Sequence, residues 1–201
     1  MFFQKKLYVH YPQNNMTTET LNSLNIVLGF GAIILQIICL IVIFLFFFHR
    51  QKKTDNFILL YIKKNFLVLG FIISVCALLL TMFYSEVVGF VPCSLCWYQR
   101  IFMFPIVFLF CISIYTKDNN VIKYIAPLGV IGFGISLYQN YFYYFGNSST
   151  LPCDASGVSC YQKLISEFGG YISFPMFALT VFLAILVLVS VAYFYKQEKS
   201  N

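Results

Sequence analysis

Five long runs of apolar residues dominate the chain, and a soluble core cannot hold side chains of this kind in such unbroken stretches. Of 201 residues, 60% are hydrophobic and only 10% charged, a balance that belongs to polytopic membrane proteins. Leu24–Phe48 is the first run, 25 residues interrupted only by Asn25 and Gln36. It is long enough to cross a hydrocarbon core of about 30 Å with some tilt. It starts too late and runs too long for the apolar region of a cleaved signal peptide, and no small-x-small cleavage site follows. Four more spans are expected at Phe66–Tyr84, Trp97–Tyr115, Tyr124–Phe145 and Tyr171–Tyr195. The expected fold class is all-α and integral to the lipid bilayer, with five transmembrane helices and no room for a separate soluble domain.

The net charge of +6 gathers in short segments at the ends of these runs, so it reports topology and argues against a nucleic-acid partner. Residues 1–23 read as a polar tail in which His10 is solvated. Residues 49–65 form the densest basic loop, with Arg50, Lys52, Lys53, Lys63 and Lys64, and the positive-inside rule assigns it to the cytoplasm. The parity of the other loops follows. Residues 85–92 hold no Lys or Arg and lie outside, Lys117 and Lys123 bracket an inner turn, and residues 146–170 form an outer loop with a single lysine. Lys196 and Lys199 sit in the inner tail, 196–201. The N-terminus is outside and the C-terminus inside; Lys5 and Lys6 on the outer tail run against the rule.

This topology sorts the seven cysteines. Cys39, Cys76 and Cys111 fall within apolar helices, where a thiol behaves as a small hydrophobe. Cys93, Cys96, Cys153 and Cys160 all fall on the outer face, where disulfides persist. Cys93 and Cys96 form a C-x-x-C pair, a spacing at which dithiol and disulfide interconvert readily. The spacing alone is a weak signal in a chain with this many cysteines, but its setting strengthens it. Arg100 follows Cys96 by four residues and shares its helical face, and a fixed positive charge beside a sulfur favours the thiolate. As staples the outer disulfides would contribute little: an eight-residue ring closed by Cys153 and Cys160 stabilises by ~2.5 kcal/mol and a four-residue ring by ~2 kcal/mol. A bundle held by the bilayer hardly requires them, and short rings are the reducible kind used in exchange. A four-thiolate metal site is disfavoured, because the pairs lie in different loops, the six-residue spacer is long and no histidine is near.

Arg100 stands on the outer side, against the positive-inside trend. It either snorkels to lipid phosphates or polarises Cys96 and an electron-accepting carbonyl compound beside it. The apolar positions Leu164, Ile165 and Phe168 suggest a surface helix over 162–168. Asn15 and Asn147 begin N-x-S/T triplets, which matter only in a glycosylating cell. The aromatic stretch Tyr138–Phe145 reads as an interfacial belt more than as a pocket wall.

Taken together, Pro92-Cys93-x-Leu95-Cys96-Trp97-Tyr98-Gln99-Arg100, the outer Cys153 and Cys160, and Gly170-Tyr171-Ile172-Ser173-Phe174-Pro175 resemble the DsbB/BdbC family of bacterial disulfide-bond formation proteins. The resemblance spans roughly 66–195. It implies a four-helix redox bundle that carries electrons from a DsbA-like thioredoxin-fold thiol oxidase to a membrane quinone, ubiquinone or menaquinone. By position it implies that Cys153 and Cys160 exchange with the partner, Cys153 forming the mixed disulfide, and that Cys93 and Cys96 then receive the electrons. Cys96 would face the quinone and Arg100 would hold it. The first helix and its basic loop have no counterpart in the four-helix pattern and read as an added anchor. The short Cys153–Cys160 spacing is like that of Gram-positive members.

The expected function is therefore a quinone-dependent protein-disulfide oxidoreductase of the cell membrane, its redox cysteines outside. Two alternatives remain at this point. A vitamin K epoxide reductase-like enzyme shares the bundle and the C-x-x-C, but there the loop pair precedes it. A non-enzymatic anchor or transporter subunit would carry two structural disulfides.

Overall fold

An apolar segment in lipid has no water to satisfy its backbone, so it must bond to itself as a helix. The computed structural model describes residues 18–52, 57–90, 92–145 and 173–198, and among these residues no strand occurs. The helices are α1 (Thr18–Lys52), α2 (Phe57–Met82), α3 (Ser94–Thr116), α4 (Ile122–Phe145) and α5 (Phe174–Glu198). All five are long and apolar enough to span a membrane, so the protein is an all-α membrane protein with five spans. A π-helical turn, Phe83–Val87, prolongs α2, and a 3₁₀ turn, Asn119–Val121, leads into α4.

Helices α2 to α5 close a ring in which α2 packs on α3, α3 on α4, α4 on α5 and α5 on α2; α1 lies outside, mainly against α5. Phe66, Ile106, Phe110, Ile125, Phe182 and Ile185 fill the centre of the ring. Two glycines permit this closeness. A Cβ on Gly70 would stand 2.3 Å from the Phe110 ring, and one on Gly132 would stand 2.2 Å from the Phe182 ring. Both distances are far inside van der Waals contact, so these helices pack through small residues, as membrane helices do.

Several boundaries differ from the sequence reading. α1 runs from Thr18 to Lys52, beyond the expected Leu24–Phe48 at both ends, and so takes in the end of the presumed polar tail and the start of the presumed basic loop. α2 starts at Phe57, nine residues before the expected Phe66, and takes Lys63 and Lys64 out of the presumed loop. The cause is packing. Leu59 and Ile62 are buried with Val42 of α1 and Leu188 and Val191 of α5, extending the stripe that continues through Phe66 and Gly70, while long lysine side chains can carry their charge toward the interface. α3 starts at Ser94 rather than Trp97, so Cys96 lies in its first turn and Cys93 caps it. α5 starts at Phe174 rather than Tyr171, with Pro175 in its first turn, where a missing N–H costs nothing.

Candidate functional site

Cys93 is the N-cap of α3, extended at φ −70° and ψ 169°, and its carbonyl accepts the first helical bond from the Trp97 N–H at 3.1 Å. One turn of helix then brings Cys96 back over Cys93, with their Sγ atoms 3.1 Å apart. Cys93 is buried, at 4% exposure, whereas Cys96 is partly open. Both sulfurs lie at the positive end of the α3 dipole.

A third side chain completes this cluster. Gln139 of α4, 2% exposed, directs its Nε2 to Cys93 Sγ and Cys96 Sγ, each at 3.5 Å. Its Oε1 accepts a hydrogen bond from Gln99 Nε2 at 2.7 Å, which orients the amide with its donors toward the sulfurs. Sequence reasoning missed Gln139 because its surroundings, Tyr138 to Phe145, read as an aromatic belt. The available signal was a pair of amides, Gln139-Asn140, inside an otherwise apolar span, since polar groups at that depth require partners. Asn140 has a structural one: its Nδ2 donates to Pro175 O at 2.8 Å and ties α4 to the start of α5. Most of the belt's rings face outward, although Tyr143 is buried. Tyr138, Tyr141, Tyr144 and Phe145 are exposed.

Arg100, one turn below Cys96, is 6% exposed. Its Nη2 donates to Thr81 O at 2.8 Å, its Nη1 lies 3.5 Å from Ser85 Oγ, and its guanidinium carbon is 5.3 Å from the Trp97 ring centroid. The snorkelling alternative is not what this geometry shows, because the guanidinium turns into the protein. Its hydrogen-bond partners among the described residues are a carbonyl and a hydroxyl, and the Glu86 carboxylate acts on it only through its charge. The π-helical turn helps to shape this environment. Val88 N bonds back to Phe83 O at 3.2 Å, widening the end of α2 where Tyr84 and Ser85 stand. Gly89 then reverses the chain at φ 80°, a conformation that favours glycine.

Cys96 and Arg100 open on the same cavity, which encloses about 930 Å³ of empty space including its mouth. Its walls are apolar, from Leu80, Met103, Phe177 and Val181 among others, with Thr81, Gln99 and Arg100 as its polar groups beside the Cys96 sulfur. Cys93 is not among its lining residues. Such a site suits a flat apolar molecule that carries an oxygen acceptor. Phe90 and Phe174, stacked at 5.2 Å and 12°, add a planar wall. Cys39 is buried, and Cys76 and Cys111 face outward from their helices; none of the three is among this cavity's lining residues. Cys153, Cys160, Asn147 and the 162–168 segment lie outside the described residues, as does Asn15.

The sequence profile of the family Disulfide bond formation protein DsbB matches residues 63–192. The chain belongs to the DsbB family. Among relatives, it is 37% identical over 137 residues to Probable disulfide formation protein C 2 of Bacillus anthracis, covering 68% of this chain and 96% of that one. It is 36% identical over 141 residues to Disulfide bond formation protein C of Bacillus subtilis, with the same coverage of both chains. Similarity extends to Chlamydia pneumoniae, whose Probable disulfide formation protein is 35% identical over 130 residues, 64% of this chain and 92% of that one. No solved structure gives a significant match. The region matched to the DsbB family holds the C-x-x-C, Arg100, Gln139 and most of α2 to α5, and leaves α1 outside.

Proposed function

We propose that this protein reoxidises a DsbA-like thioredoxin-fold thiol oxidase outside the cell membrane and passes the electrons to ubiquinone or menaquinone, so that exported proteins acquire disulfides. The observation that carries the reading is that Cys96, one half of a C-x-x-C, shares an apolar cavity with the buried Arg100, whose guanidinium donates to the Thr81 carbonyl.

In this reading the reduced partner attacks the Cys153–Cys160 disulfide. Cys153 takes the mixed disulfide, and the partner's second thiol resolves it, leaving Cys153 and Cys160 as thiols. These two thiols then reduce the Cys93–Cys96 disulfide by the same exchange, and two electrons and two protons have moved inward. When bound, the quinone supplies a two-electron, two-proton acceptor. Arg100 orients its carbonyl oxygen and offsets negative charge developing there. Gln139 holds both sulfurs in register, and the apolar walls exclude water from the reacting sulfur. The redox cysteines face outward and the C-terminus inward, in keeping with the basic residues at the opposite helix ends.

The test is purified protein in lipid vesicles, supplied with a reduced thioredoxin-fold dithiol and quinone. One quinol should form per partner disulfide. Cys93→Ser and Cys96→Ser should each abolish quinol formation while Cys153 still forms a mixed disulfide with the partner. Full turnover by either variant contradicts the relay.

A further inference from the structure

Asn25 and Gln36 are the two polar interruptions of the apolar run in α1, and three turns of helix separate them, so they share a face. Both reach the bundle. Gln36 Nε2 donates to Thr180 Oγ1 of α5 at 2.8 Å, and the Tyr84 hydroxyl donates to Asn25 Oδ1. Amides in lipid are costly without such partners, so these two bonds fix the rotation and depth of α1. A general hydrophobic anchor requires neither.

Between these two bonds, on the same side of α1, Leu28 enters the lining of the cavity that holds Cys96 and Arg100. Tyr84, bonded to Asn25, lines that cavity as well. Its ring meets Phe174 edge-on at 4.9 Å and 83°, and Phe174 stacks on Phe90. A continuous chain of contacts thus runs from α1 to the planar wall. On the opposite side, Val27, Ile34 and Ile41 are exposed to the lipid.

We propose that α1, although outside the residues matched to the family, is a structural wall of the quinone site: Leu28 sets the width of the cavity, and Asn25 acts through Tyr84 to hold its aromatic side. This inference rests on the quinone reading above. Leu28 is then a specificity-determining residue and Asn25 a positioning residue. The helix would tune which quinone ring fits, a monocyclic benzoquinone or a bicyclic naphthoquinone.

The chain has one tryptophan, Trp97, against Arg100 at the cavity, and quinones quench indole emission. Quenching of Trp97 in the detergent-purified full chain therefore reads quinone binding without turnover. Leu28→Phe should weaken binding of both ring types about tenfold and raise KM for quinone in parallel, with kcat and the partner-exchange half-reaction unchanged. Leu28→Ala should shift preference toward the naphthoquinone by at least threefold, and it carries the test if Leu28→Phe fails to fold. Asn25→Ala, Tyr84→Phe and their double variant should weaken quenching by the same factor, because they break one interaction. Ile34→Ala, on the lipid side, should match the unmodified chain. If every α1 variant binds both quinones like the unmodified chain while Arg100→Gln loses binding, the quinone site stands and α1 is not part of it. If no quinone quenches Trp97 in the unmodified chain and Arg100→Gln changes nothing, the quinone reading fails and this inference falls with it.

Discussion

Arg100 and Gln139 do different work on the same two sulfurs' surroundings, and substitutions separate them. A hydrogen bond from a charged donor contributes about 1.5–3 kcal/mol, so Arg100→Gln should raise KM for quinone about 10- to 100-fold, with Arg100→Lys intermediate because a single ammonium cannot reproduce the planar fork. Quinone titration of the steady-state rate measures this. Gln139→Leu removes the amide donors 3.5 Å from Cys93 Sγ and Cys96 Sγ and leaves Gln99 Nε2 without its acceptor. Those donors favour the more electron-rich sulfurs of the reduced pair over the disulfide. Losing about 1 kcal/mol of that preference lowers the potential of the Cys93–Cys96 couple by about 20 mV. Equilibration with glutathione buffers of known ratio, followed by alkylation, reads the change, and quinone KM should stay within about twofold. The two residues were unequally legible. Cys93, Cys96 and Arg100 lie within eight positions of one another on one helix, so spacing alone places them on a common face. Gln139 reaches them from α4, and only the packing of α3 on α4 reveals that its amide belongs with the sulfurs.

At the scale of elements, an apolar run announces a span, and all five helices could be read from hydropathy. Their ends could not. Lysines 63 and 64 mark a loop in sequence, yet Leu59 and Ile62 are worth burying between α1 and α5, and the helix continues past the charges. The π-helical turn at Phe83–Val87 has no hydropathy signature at all, although it shapes the end of α2 beside the guanidinium. Small residues at the closest helix contacts were likewise invisible until the partner rings were placed. Gly132→Ala sets a methyl against the buried Phe182 ring, and overpacking of this kind costs about 1–3 kcal/mol. Thermal unfolding in detergent should show the loss, and Phe182→Leu added to Gly132→Ala should recover part of it. Gly134→Ala, where nothing lies within 4 Å, should be tolerated without loss.

For the whole molecule, the family and the five spans follow from the chain, while the direction of electron flow is the central claim of the proposed mechanism. It joins two cysteine pairs, one at the N-terminus of α3 and one beyond the described residues, to a lipid-soluble acceptor in a cavity bounded by α2, α3, α5 and α1. The same cysteines as staples would not respond to quinone supply. The most direct measurement is the redox state of Cys93, Cys96, Cys153 and Cys160 in living cells, trapped by alkylation with a mass tag, with quinone synthesis first intact and then depleted. The relay predicts that all four accumulate in the reduced state on depletion, because electrons entering from the partner have no exit. Four cysteines that remain fully oxidised would show that no electrons pass through them, and would contradict the account.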